Sequence, residues 1–436
     1  CLCMLKRKLY QSVLDWKKKK DKECLLIKGA RQIGKTYLIE EIGKNEYQHF
    51  IEINFEQRPE LRHIFDGDLS VEELVKKISL SIPTARFVEG NTLLLLDEIQ
   101  SCPQARTSLK FWASDNRYDV IATGSLLGVN YKEVSSFPVG YERQVMMHSL
   151  DFEEFLWAIG VGEDVLDYLK RFLKNYDCVD SSVHNQMMRY LHEYLVVGGM
   201  PAVVNKFIET NNFGEVHIEQ EKLVQSYLND IAKYAPNSDK PKARNCFLSL
   251  PRQLAKENTK FQYSVVENGG TARKYGNSLD WLKDANIITF CNNVTTPKFP
   301  LVAYLKPEQF RIYANDIGLL VSMYGFDMKK ALVEDTLVGD TKGGIYENLV
   351  ADMLIKRNIP LRYYSREDSS LEIEFLIEKD ACVVPVEVKS KRGKTTSLDS
   401  ILKHDDIRYG FKFSAGNVGK EGKKISLPFY MIPFVL

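Results

Sequence analysis

The sequence predicts an α/β chain whose first part is a parallel sheet with helices on both faces, and three observations predict it. The runs ECLLIKG (23–29), NTLLLLD (91–97) and YDVIATG (118–124) are apolar on both parities, as strands covered on two faces must be. Between the first run and the helical pattern TYLIEEIGK lies the glycine-rich stretch GARQIGKT, 29–36. Near the end, LEIEFLIE (371–378) and VVPVEVKS (383–390) alternate with period 2, so a second, smaller α/β region is expected there.

GARQIGKT satisfies G-x-x-x-x-G-K-[ST] with Gly29, Gly34, Lys35 and Thr36 in the fixed places and Ala30, Arg31, Gln32 and Ile33 between them. A strand, a tight loop and a helix N-terminus put backbone N–H groups and a positive dipole around one point, which is what a phosphate requires. Lys35 would reach the β and γ phosphates, and the Thr36 hydroxyl would hold Mg²⁺. The partner of such a loop is an acid at the tip of a neighbouring strand. Asp97 stands 62 residues after Lys35, at the end of four leucines, and Glu98 follows it. Asp97 would orient the Mg²⁺ shell and Glu98 would polarise the attacking water. The expected ligands are therefore ATP and Mg²⁺.

The segments GARQIGKTYLIEEIG, INFEQRPEL, LLLLDEIQSCP, SLKFWA, VIATGSLLG, FPVGYER, LDFEEFLWA, YLVVGGMPAVV, YLNDIAKY, YANDIGLL, YENLV and PVEVKS follow one another in this order. In that order they resemble a large prokaryotic family of AAA+-type ATPases whose C-terminal half is a domain of unknown function. The resemblance runs from about Leu5 to the last strand. It implies an ATPase domain over 1–150, a helical lid over 151–235, a winged-helix-like domain over 236–330 and a restriction-endonuclease-like domain over 331–436. It also implies that the tip of the third strand carries a sensor of the γ phosphate, with Thr123 and Ser125 as equal candidates. An arginine finger from a neighbouring subunit, and so a homo-oligomer, belongs to the same expectation. Arg106, Arg117 and Arg143 are its candidates by sequence proximity.

Read from the residues, 151–230 carries helical periodicity in DFEEFLWAIG, VLDYLKRFLKNY, HNQMMRYLHEYLVVGG and EKLVQSYLNDIAKY, broken at Gly198, Gly199 and Pro201. From 240 to 300 the charge changes. Ten Lys or Arg face four acids there, a balance of +6 in a chain whose total is +1. The order of that segment suggests a winged helix: KARNCFLSLPRQLAKE as a helix, a short FQYSVV segment, TARKYGNSLDWLKDANII as a second helix, then ITFCNNV and QFRIYA as strands. Such a module places the second helix, with Arg273 and Lys274 near its start, in a DNA groove. The same pattern also serves packing or protein contact.

At the C-terminus, EKDA joins two strands, and period 2 sets Glu372 with Glu374 on one face and Glu387 with Lys389 on another. The helix GIYENLVADMLIKR carries Glu347. Metal-dependent phosphodiester cleavage needs clustered carboxylates and a lysine, and Glu347, Glu374, Glu387 and Lys389 would supply a second Mg²⁺ site of that kind. The resemblance to restriction-endonuclease-like proteins supports this placement, with one departure: Glu374 stands where those proteins usually carry Asp. Three alternatives stand at this point: an active nuclease, a silent nuclease-like fold and an unrelated hairpin.

Bulk composition limits the rest. With 59 Lys+Arg against 58 Asp+Glu, overall charge selects no partner. Eight cysteines without a C-x-x-C pair read as reduced thiols, which together with a start lacking an apolar signal region gives a cytoplasmic expectation. The final ISLPFYMIPFVL is too short to span a bilayer and reads as terminal strands, so no membrane partner is expected. Three functions fit: an ATPase acting on nucleic acid, a nucleotide-gated switch with a protein partner, and a scaffold with a vestigial site. The last is weakest, because Lys35, Thr36, Asp97 and Glu98 are all present.

Overall fold

The computed structural model describes residues 5–125, 140–256, 260–366, 368, 370–390 and 395–436. The chain divides into two compact units, Lys6–Ser149 and Leu150–Leu436, with Leu5 joining the second.

The first unit contains α1 (Lys8–Lys17), β1 (Cys24–Gly29), α2 (Lys35–Glu46), β2 (His49–Asn54), α3 (Val71–Ser81), β3 (Thr92–Asp97), α4 (Pro103–Asp115), β4 (Asp119–Ser125) and β5 (Glu142–Met146). Its strands form one sheet in the order β2-β3-β4-β1-β5, and every neighbouring pair is parallel. β1 and β3 are buried at every position, because helices cover both faces. On one face Leu26, Leu94, Leu96 and Ala122 pack with Leu74 and Ile78 of α3 and Leu109 and Trp112 of α4. Ile51 and Ile53 of β2 share that face. Phe50, of opposite parity, meets α2, where a Cβ on Gly43 would come within 2.2 Å of its ring. The edge strand β5 is largely solvent-facing, which suits its mixed sequence ERQVM. The parallel register brings Asn54 level with Asp97, and Ile27 level with Thr123. The carboxyl ends of β1 to β4 thus share one rim, where ligands of open parallel sheets bind.

The second unit begins with five helices, α5 (Phe152–Ala158), α6 (Glu163–Asn175), α7 (Ser181–Val197), α8 (Pro201–Thr210) and α9 (Phe213–Tyr234). The expected break between α7 and α8 falls at Gly198 and Gly199, where the chain passes so close to Leu150 that a Cβ on Gly199 would lie 2.0 Å from its carbonyl oxygen. Next come α10 (Lys240–Leu254), α11 (Tyr263–Val266), α12 (Ala272–Asp284), β6 (Ile288–Val294) and β7 (Leu305–Ala314), with β6 and β7 antiparallel. The stretch FQYSVV supplies the single turn α11. Then follow α13 (Ile317–Met323), α14 (Phe326–Val333), α15 (Asp340–Ile355), β8 (Arg362–Ser365), β9 (Glu372–Ile373), β10 (Phe375–Lys379), β11 (Cys382–Lys389), α16 (Thr396–Ile401), β12 (Gly410–Ser414), β13 (Gly419–Glu421), β14 (Lys424–Pro428) and α17 (Ile432–Val435).

Two mixed sheets result, β7-β6-β8-β9 and β10-β11-β12-β14-β13. The run LEIEFLIE is expected as one strand, but it changes sheet at Glu374: β9 pairs with β8, and β10 pairs with β11. Asp380 and Ala381 both have positive φ, 51° and 56°, as a two-residue hairpin turn of the I′ kind requires. The chain end also differs from expectation. β14 stops at Pro428 and a helical turn carries the rest, because Pro433 occupies the first turn of α17, where its missing N–H costs nothing. Helices α7 and α9 pack on α13, and α15 packs on β7 and β11, so segments 151–235, 236–330 and 331–436 share one unit. Among the described residues no helix is long and apolar enough to cross a membrane. The described cysteines, from Cys24 to Cys382, are free thiols.

Candidate functional site

The rim of the first sheet gathers most of the residues singled out in the sequence. Gly29 ends β1, and a Cβ there would lie 2.3 Å from the Met147 carbonyl oxygen, so only glycine fits between these chains. The loop that follows turns on two left-handed residues, Gln32 (φ 62°) and Gly34 (φ 87°), before α2 starts at Lys35. Such a path turns successive N–H groups inward and forms an anion cradle. Ala30 and Ile33 are buried, Arg31 is half-buried and Gln32 is exposed. The buried Arg7 donates to the Ile33 carbonyl oxygen at 3.1 Å and to that of His148 at 2.6 Å, so it supports the loop. Arg31 reaches Glu56 at 3.1 Å.

Lys35 folds over the loop and donates to the carbonyl oxygens of Gly29 and Ala30, at 3.1 and 2.8 Å. Burial lowers its pKa, against the raising influence of Glu98 and Asp97. Asp97, 1% exposed, is the hub of the rim. It accepts from the Thr36 hydroxyl at 3.0 Å, from Asn54 Nδ2 at 2.7 Å and from the Thr123 hydroxyl. Burial raises its pKa, and the bonds from Thr123 and Thr36 pull it back. Of the two sensor candidates, Thr123 is the one seen at the hub. Ser125 ends β4, and its side chain lies outside the described residues, as does segment 126–139 with parts of SLLG and FPVGYER.

Glu98 follows with a left-handed φ of 54° and accepts from Gln100 Nε2. For a residue with a Cβ this conformation costs about 1–2 kcal/mol, so the surrounding fold imposes it. Asn54 was not marked by the sequence. Its Oδ1 takes the N–H groups of Glu56 at 3.0 Å and Gln57 at 2.9 Å, which leaves Nδ2 free to hold Asp97. Among the finger candidates, Arg106 is buried against Glu142 at 2.7 Å, Arg117 is held by Asp115 and Glu72, and Arg143 is exposed on β5.

This rim fits ATP with Mg²⁺. The Thr36 hydroxyl and Asp97 carboxylate are adjacent hard oxygen donors, and Mg²⁺ at a nucleotide takes only one or two protein oxygens beside phosphates and water. The absence, among the described residues, of any group of three or more His, Cys, Asp or Glu able to hold a metal is therefore no obstacle at this site.

The same absence weighs differently at the C-terminus, where the expected site needs three carboxylates. Glu387 and Lys389 do share a face of β11, 2.8 Å apart, and Glu374 lies 3.7 Å from the same ammonium. Burial pushes the Glu374 pKa up to about 8, with Lys389 lowering it and Glu347 and Glu387 raising it. One oxygen each of Glu374 and Glu387 is buried without a hydrogen-bond partner. Glu347, on α15, is turned to other groups: Arg311 Nη1 donates to it at 2.8 Å, and the Tyr313 hydroxyl donates to the same oxygen. Arg311 also pairs with Glu372 and lies 4.2 Å from the Tyr363 ring centroid. The structure thus brings Glu374, Glu387 and Lys389 together, whereas Glu347 faces an internal cation. As arranged, the carboxylates of this set are divided between two cations, Arg311 on Glu347 and Lys389 on Glu374 and Glu387.

In the basic segment, Arg273 and Lys274 lie exposed at the start of α12. Lys274 is paired with Glu267 at 2.5 Å. Glu257, one of the four acids of that segment, lies outside the described residues.

Comparison with known proteins gives three adjacent matches. Residues 21–156 match the family described as AAA domain, residues 188–330 a domain of unknown function (DUF8612), and residues 342–430 a domain of unknown function (DUF4143). No curated protein matches the chain. Among solved structures it is similar to the Walker-type ATPase PABY2304 of Pyrococcus abyssi, at 13% identity and TM-score 0.42, covering 74% of this chain and 96% of that one. The ORC1 protein of Aeropyrum pernix in complex with DNA is similar at 12% identity and TM-score 0.27, covering 76% and 93%. AMPPCP-bound DnaA from Aquifex aeolicus is similar at 14% identity and TM-score 0.28, covering 63% and 87%. The match to the AAA domain family spans the five-stranded parallel sheet described above.

Proposed function

We propose that the protein binds ATP with Mg²⁺ and hydrolyses it, and that nucleotide state controls C-terminal modules acting on or near DNA. The observation that carries this reading is the convergence of Thr36, Asn54 and Thr123 on the buried Asp97, beside a loop whose lysine and glycines have the geometry of a phosphate cradle. In this reading the loop N–H groups from Gly29 to Thr36 take the phosphates. Lys35 exchanges its two carbonyl partners for phosphate oxygens. Thr36 and Asp97 would hold Mg²⁺, whose chemistry there would be to neutralise phosphate charge. Glu98 orients and polarises the attacking water, and Thr123 reports the γ phosphate through its bond to Asp97.

Segments 151–235, 236–330 and 331–436 take the roles of helical lid, winged-helix-like module and nuclease-like module. The exposed Arg273 on α12 supports DNA contact. The test is the steady-state ATPase rate with Mg²⁺, with and without single- and double-stranded DNA, at low and high salt. A DNA-dependent rise that salt abolishes is expected. A second reading, a nucleotide-gated switch with a protein partner and a silent nuclease-like module, is favoured by the internal cations on Glu347 and Glu387. Turnover indifferent to DNA would select it.

A further inference from the structure

The C-terminal carboxylates have the residue types of a metal site and the wrong partners for one. Glu347 on α15, Glu372 on β9, Glu374 just after it and Glu387 on β11 would demand positive charge if desolvated together. The chain supplies that charge itself. Arg311, 1% exposed on β7, donates through Nη1 to Glu347 at 2.8 Å and through Nη2 to Glu372, while its guanidinium lies over the Tyr363 ring. Lys389 stands 2.8 Å from Glu387 and 3.7 Å from Glu374. These two cations carry together the charge of one divalent ion. A guanidinium forks rigidly between two carboxylates, so Arg311 fixes α15 against the sheet that holds β7 and β9. The Tyr313 hydroxyl takes a further lone pair of Glu347.

We propose that Arg311 is a built-in counter-ion for Glu347 and Glu372, as Lys389 is for Glu387 and Glu374, and that this carboxylate cluster is a metal-independent joint. The inference does not depend on the reading of the ATP site, because no nucleotide takes part.

The test follows melting temperature against Mn²⁺ in nucleotide-free full-length protein. The wild-type protein is expected to show no Mn²⁺-dependent rise that Glu387→Gln removes. Arg311→Met, which takes the guanidinium from Glu347 and Glu372, is expected to melt lower and to regain stability with Mn²⁺. Adding Glu372→Gln to that variant, which removes one of the two carboxylates that Arg311 bridges, should abolish the regain. A wild-type rise lost in Glu387→Gln would overturn the proposal, as would a folded Arg311→Met protein indifferent to Mn²⁺. Should Arg311→Met not fold, the wild-type measurement decides, together with Arg311→Met/Glu347→Gln. That pair removes both charges at once and is expected to recover a cooperative transition without a Mn²⁺ response; failure to recover it would overturn the pairing.

Discussion

At the scale of single residues, the proposed nucleotide site would separate binding from chemistry. Lys35 donates to the loop's own carbonyl oxygens, at 2.8 and 3.1 Å, so Lys35→Ala should leave the sheet intact and is expected to abolish ATP binding in a fluorescent-nucleotide titration. Glu98 lies beyond the cradle, and Glu98→Gln should bind ATP normally while turnover falls by about 10²-fold or more. Undiminished turnover in the glutamine protein would remove Glu98 from the mechanism. Asn54→Ala takes one bond from Asp97 and leaves two backbone N–H groups without their acceptor. It should lower kcat more than it raises KM, and lower stability by about 1.5–3 kcal/mol, the range for bonds to charged groups. The turn from β1 through Gly29 to Lys35 and Thr36 was legible because its glycine spacing stands in the sequence itself. Asn54 was not, because only the β2/β3 register makes it a neighbour of Asp97. Arg7 was equally hidden, since its partners lie 26 and 141 residues away in sequence.

At the scale of elements, the sequence announces strands and helices through periodicity and stays silent about which sheet a strand joins. β1 and β3 were legible because burial on two faces leaves a continuous apolar run. LEIEFLIE misled because alternation continues across Glu374 while the pairing partner changes from β8 to β11. Helix packing hides a further feature, a lysine inside the second unit. Lys329 of α14 is 1% exposed, and it donates to the Val196 carbonyl oxygen at 3.2 Å and to Gln220 Oε1. Burial lowers its pKa to about 7, although Asp316 and Glu221 oppose this. Between about 7 and the ordinary lysine value of 10.5 the unfolded chain therefore holds more protons than the folded one, and stability rises with pH across that window. Below it both states carry the charge and the burial penalty is constant. In urea titrations across this range Lys329→Met should lack the rise; an identical slope in both proteins would mean that the buried amine stays protonated.

At the scale of the whole molecule, a net charge of +1 gives no long-range attraction to a polyanion, so the proposed DNA contact would have to come from local charge. The excess of six positive charges within 240–300 was legible from counting alone, but its distribution was not. α12 presents Arg273 to solvent and commits Lys274 to Glu267 at 2.5 Å. The two adjacent cations are therefore unequal, although the sequence presents them as a pair. Each phosphate contact contributes about 0.9 to the slope of log K against log salt on duplex DNA, because a condensed counterion is released with it. Arg273→Ala should thus weaken duplex binding irrespective of sequence and reduce that slope by about one unit. Lys274→Ala should reduce it less, since the lysine has to leave Glu267 before it can neutralise a phosphate. Glu267→Gln frees Lys274 and should steepen the slope. Fluorescence anisotropy of a labelled duplex across a salt series measures all three. If Arg273→Ala left both affinity and slope unchanged, the exposed start of α12 would be a solvated or protein-facing surface, and a protein partner would become the better account of what ATP turnover controls.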